Sequence, residues 1–146
     1  MKHRYTHWVL CLLLTAGLLG GCGLLTKEPP AVASVTLTDK VDPRTRAAAN
    51  AVTAFPKGTK VMYTSVQVLR PQKGTKVEAH WHYDQEGKGS FGLVDAAEVV
   101  FDTASQDRHV AFSLEATTTF PAGAYKVQVF LDGKAVKELA FSVKAE

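Results

Sequence analysis

The chain has 146 residues, a formal net charge of +3 and two cysteines, and 46% of its residues are hydrophobic. That is one domain's worth of sequence, enough to bury a core without metals or disulfides. The small charge excess gives no argument for a nucleic-acid partner, and both cysteines, Cys11 and Cys22, fall near the N-terminus, so no disulfide is expected in the rest of the chain.

The N-terminus has the layout of an export signal. Lys2 and Arg4 supply positive charge, residues 8–19 form a leucine-rich apolar run, and Gly17, Gly20 and Gly21 bring small residues up to Cys22. The run is about 12 residues long, whereas a membrane-spanning helix needs roughly 20. Leu19-Gly20-Gly21-Cys22 resembles the processing box of bacterial lipoproteins. The resemblance implies removal of residues 1–21, diacylglycerol on the Cys22 thiol and N-acylation of the new terminus, with no other cofactor. An ordinary secretory signal would also end in small residues, but it would leave Cys22 as an odd thiol in an oxidising compartment. Loss of Lys2 and Arg4 takes the net charge from +3 to +1. The residue after the cysteine is Gly23 and not aspartate, which by the same resemblance implies the outer membrane in a Gram-negative cell.

Residues 22–33 read as a lipidated tether. Lys27-Glu28-Pro29-Pro30 carries no apolar periodicity, and Pro-Pro favours an extended chain rising ~3.1 Å per residue. About ten such residues reach roughly 30 Å, which keeps the following domain close to its membrane.

Residues 34–146 read as all-β. Alternating segments at 34–40, 52–55, 61–69, 77–83, 97–101, 109–114, 125–131 and 137–143 are separated by turn residues. Residues 44–50 hold three alanines but are too short for an independent helix and read as loop. Lys57-Gly58-Thr59-Lys60-Val61 recurs as Lys73-Gly74-Thr75-Lys76-Val77. Its glycines suit tight turns that lead into strands, and its spacing excludes a P-loop. Asp132-Gly133 predicts a two-residue hairpin.

Alternation is clearest in 77–83, where Val77, Ala79, Trp81 and Tyr83 share one face, and in 125–131, where Tyr125, Val127, Val129 and Leu131 do. Phe130 is placed outward, against the pattern. A tryptophan on a middle strand, then Gly-x-Tyr-x-Val-x-Val, Asp-Gly and a last strand resemble the immunoglobulin-type sandwich. Trp81 matches its core tryptophan and Tyr125 the tyrosine opening its penultimate strand. The positions of the antibody cysteines fall near Val66 or Val68 and at Val127, so aliphatic packing replaces the bridge. Residues 32–146 also resemble Ig-like domains of bacterial envelope lipoproteins. The expected fold is a single immunoglobulin-like β-sandwich of about 7–8 antiparallel strands.

His80 and His82, at i and i+2, share a strand face and could chelate Zn²⁺ or Cu²⁺ if His109, Asp84 or Glu78 supplied a third ligand. Without a clear third ligand, two solvated histidines outweigh that alternative. No nucleophile elbow, mature cysteine or carboxylate pair points to catalysis, which leaves an undetected hydrolase as the third choice. Polar loops at 42–50, with Arg44 and Arg46, and at 84–90, 103–108 and 117–119 are the better ground for function, as is Phe130 if it stands exposed beside Lys126 and Gln128. The reading favoured by the sequence is a membrane-anchored, non-enzymatic binding or accessory module. It would meet an envelope protein or polymer through loops or a sheet edge.

Overall fold

The computed structural model describes residues 27–146. The export signal, Cys22 and the first part of the tether lie outside the described residues.

Eight strands follow one another in the chain: β1 (Ala31–Thr38), β2 (Ala54–Phe55), β3 (Val61–Leu69), β4 (Lys76–Asp84), β5 (Phe91–Val100), β6 (Arg108–Glu115), β7 (Gly123–Leu131) and β8 (Lys134–Val143). They form one sheet in the order β1-β3-β6 and a second in the order β2-β8-β7-β4-β5. Every pairing is antiparallel except the two-residue parallel contact of β2 with β8.

Period-two alternation builds the core between the sheets. Val77, Ala79 and Trp81 of β4 and Val127 and Val129 of β7 are wholly buried. Met62, Val66 and Val68 of β3 and Val110, Phe112 and Leu114 of β6 complete the apolar layer. Each buried side chain of this size contributes roughly 1.5–3 kcal/mol over an exposed one. Phe141 lies among the aromatic residues, edge-on to Trp81 at 6.0 Å and stacked on Tyr125 at 5.4 Å. Tyr125 donates its hydroxyl hydrogen to the carbonyl of Pro121 at 2.8 Å, tying the start of β7 to the turn before it, as a tyrosine corner does.

The repeated Lys-Gly-Thr-Lys segments are turns. Gly58 and Gly74 both have φ +87°, the left-handed value that the third residue of a type II turn requires. The amides of Thr59 and Thr75 donate back to the carbonyls of Pro56 and Gln72. Asp132 and Gly133 take φ 49° and 81°, the two positive values of a type I′ hairpin.

Several boundaries differ from the sequence reading. The first strand opens at Ala31 and not at residue 34, and segment 52–55 contributes only Ala54–Phe55. The largest difference is β5, which begins at Phe91, six residues before the expected start at 97. Its residues 92–96 are exposed on both faces, so no alternation marks them. Tyr83, expected in the core, is only partly buried and packs against the core's rim.

Candidate functional site

Three surfaces collect the residues singled out by the sequence. The first is the outer face of the β4-β7-β8 sheet. Register pairs His80 with Gln128 and His82 with Lys126 across β4 and β7. It pairs Gln128 with Glu138 and Lys126 with Ala140 across β7 and β8. Gln128 Nε2 donates to Glu138 Oε2 at 2.7 Å, and Lys126 Nζ lies 3.4 Å from the same carboxylate. The hydrogen bond from Gln128 is the main reason that Glu138 sits below the usual carboxylate range. His80 Nε2 approaches Glu78 Oε1 at 3.7 Å, and the ring of His80 lies 4.6 Å from that of Phe130. Phe130 is therefore half-covered and not a free-standing apolar contact. Burial first, then the positive charge of Lys126, lowers His82 below an ordinary imidazole.

The structure keeps His80 and His82 on one face and brings Glu78 within 3.7 Å of His80, but it brings neither His109 nor Asp84 to them. His109 pairs with Gln67 in the other sheet. The carboxylate of Asp84 accepts the amides of Lys88 at 3.1 Å and Gly89 at 2.6 Å. Those bonds, led by the one from Gly89, hold Asp84 below its usual range. Glu78 also takes Lys76 Nζ at 3.1 Å. Among the described residues no three of His, Cys, Asp and Glu are grouped to hold a metal ion.

The second surface is the edge strand β5. Among the described residues it has a strand neighbour only on the β4 side, so the amides and carbonyls along its other side are open to a further strand. Leu93, Val94 and Val100 are 61%, 48% and 53% exposed. A register shift opposite Trp81 and His82 makes Val94 the extra residue of a bulge between Leu93 and Asp95. Beside it Tyr83, Phe91, Leu93 and Val94 line a cavity of 310 Å³, and Lys126 Nζ stands 4.9 Å from the Phe91 ring. The sequence reading found the second half of this strand, from residue 97, and missed residues 91–96. Their only signal was a run of β-prone Leu and Val between Gly92 and Asp95.

The third surface is the loop after β1. Asp42 Oδ1 accepts the amides of Arg44 at 2.8 Å and Thr45 at 2.7 Å, which lowers its carboxyl, the bond from Thr45 contributing most. Ser65 Oγ donates to the carbonyl of Arg46 at 2.8 Å. Ser65 points away from the core yet is buried, because this loop folds across the outer face of β3. Arg44 and Arg46 thereby reach Arg108 and His109 of β6, and the four line one cleft.

No family model matches the sequence, and no curated protein matches it. Among solved structures it is similar to an immunoglobulin-like protein from Pseudomonas aeruginosa, at 16% identity over 82% of this chain and 99% of that one, with a TM-score of 0.53. It is also similar to part of the alkylpurine DNA glycosylase AlkC from Pseudomonas fluorescens, at 13% identity and a TM-score of 0.49, spanning only 31% of that chain. A β-glucosidase from Listeria innocua is matched over 17% of its length, at 10% identity and a TM-score of 0.49. The first likeness shows the fold: this is an immunoglobulin-like β-sandwich.

Proposed function

We propose that this chain is a lipid-anchored, non-enzymatic binding module of a bacterial envelope, docking a partner strand along β5. The observation that carries this reading is the exposed ten-residue edge with Leu93 and Val94 at its bulge. Strand addition draws affinity from backbone hydrogen bonds and specificity from alternate side chains. Asp95 and Glu98 are the charges on this edge, so the fitting partner is an extended envelope segment that alternates apolar residues with Lys or Arg. The anchor on Cys22 supports the same reading by confining the module to the surface where such a partner resides.

The test is photo-crosslinking in intact cells from a probe at Val94, with Lys60 in the turn before β3 as the control position. The expected result is an adduct from position 94 alone that Leu93→Arg abolishes by repelling the cationic strand. No adduct, or equal adducts from both positions, would contradict the assignment.

A further inference from the structure

The sheet β2-β8-β7-β4-β5 has a second open edge. β2 covers β8 only at Ser142 and Val143, so among the described residues the outer side of 134–141 has no strand neighbour. This edge resembles that of β5. Residues 134–138 are exposed. Register pairs Val129 with Lys137 and Phe130 with Ala135, which makes Val136 the extra residue of a bulge, as Val94 is in β5. Among the described residues the large exposed apolar side chains are Leu93, Val94, Val100 and Val136, and all of them stand on these two edges.

The edges differ in the sign of their charge. β5 carries Asp95 and Glu98, whereas the free part of β8 opens with Lys134 and Lys137. Among the described residues neither lysine nor Asp95 forms an ion pair, and Glu98 lies 3.6 Å from Lys76. Glu138, the acidic residue of β8, is held by Gln128 and Lys126. Charges and bulges on an edge discourage indiscriminate pairing. If β5 met β5, carboxylates would face carboxylates, and if β8 met β8, lysines would face lysines; like charges across strands destabilise. Only β5 against β8 brings opposite signs together.

We propose that β5 of one copy of this chain pairs with the 134–141 edge of β8 of a second copy. The proposal rests on the β5 docking reading above and names its partner. Strands β8, β7, β4 and β5 are successively antiparallel, so β5 runs opposite to β8. A second copy added with the same face outward therefore meets β5 as an antiparallel strand. Asp95 is paired with Trp81 and Lys137 with Val129, so both side chains leave their strands on the core-bearing face. A register that opposes them forms an ion pair there. A cleft of 290 Å³ lined by Val32 and Val35 of β1 and by Val136 and Lys137 of β8 leaves room beside this edge for side chains of the arriving strand. Because the two edges are different surfaces, the contact is head-to-tail and repeats from copy to copy.

The test is photo-crosslinking of the full chain in intact cells from a probe at Val94, with the joined peptides identified by mass. The expected result is an adduct of two or more copies, linked from position 94 to residues 134–141. Asp95→Lys or Lys137→Asp alone sets like charges across the junction and should reduce that adduct severalfold. Cells holding both variants should regain it, because each variant's altered edge then meets an edge of opposite sign on the other. Both positions are exposed, so unchanged thermal unfolding serves as the check on folding. An adduct of position 94 with a different protein, and none with a second copy, would overturn this inference and leave β5 as a docking edge. No adduct at all would overturn both. A self-adduct linked elsewhere in the second copy, indifferent to both charge changes or not regained when the variants are combined, would overturn the head-to-tail pairing.

Discussion

Tyr125 shows how much one side chain can hold in place. Its ring stacks on Tyr83 at 4.5 Å and on Phe141 at 5.4 Å, and its hydroxyl anchors the carbonyl of Pro121. Tyr125→Phe keeps the stacking and loses the bond, so chemical denaturation should show a loss of about 1–2 kcal/mol. Burial, with a smaller contribution from Tyr83, pushes the phenol up to about 12, above its unfolded value near 10. Its contribution is therefore intact below pH 10 and lost as pH rises from 10 towards 12. Tyr125→Phe should flatten that alkaline decline. His82 has the opposite sign. Its folded value is depressed, so the unfolded chain binds the proton first and stability falls as pH drops below about 6.5. Denaturation midpoints of His82→Gln should fall less between pH 7 and 5 than those of the parent. The shared face of His80 and His82 was legible from their i, i+2 spacing. The fate of their supposed ligands was not, because it depends on which sheet β6 joins and on how the loop after β4 folds back onto Asp84.

At the scale of elements, turns and core strands were the legible parts. Gly58, Gly74 and the Asp132-Gly133 pair announce their geometry by residue type alone, and β4 and β7 announce theirs by strict alternation. Edge strand β5 was half-missed because an exposed edge has no buried face to impose a period. Gly123, which opens β7, is a stricter requirement than its place in the sequence suggests. It has φ 142°, and a Cβ there would meet Tyr83 Cε2 at 3.0 Å. Gly123→Ala therefore strains the backbone and pushes on the Tyr83 ring, whose hydroxyl donates to the carbonyl of Ala122 at 3.1 Å. Thermal unfolding should show a loss of about 1–3 kcal/mol. Gly133→Ala, with φ 81° but nothing within 4 Å of the added carbon, should cost only the backbone part.

At the scale of the whole molecule, the immunoglobulin-like sandwich followed from Trp81, Tyr125 and the closing hairpin. The candidate surfaces did not: the β5 edge carries no alternation to announce it, and the cleft beside the 42–49 loop joins segments far apart in sequence. Arg46 and His109 are 63 positions apart yet line one cleft. The described residues contain no cysteine and the sandwich holds together by aromatic and aliphatic packing, so its folding does not call on Cys22, the residue of the proposed anchor. That separation makes the anchor testable without disturbing the domain. The most direct measurement is membrane fractionation with intact-mass analysis of the parent chain and of Cys22→Ser. The parent should be found in the membrane fraction, beginning at Cys22 and carrying the mass of its acyl groups. Cys22→Ser should be released or left unprocessed while its domain unfolds at the parent's temperature. A Cys22→Ser protein that fractionates and matures like the parent would contradict the lipid anchor and the membrane-held binding role built upon it.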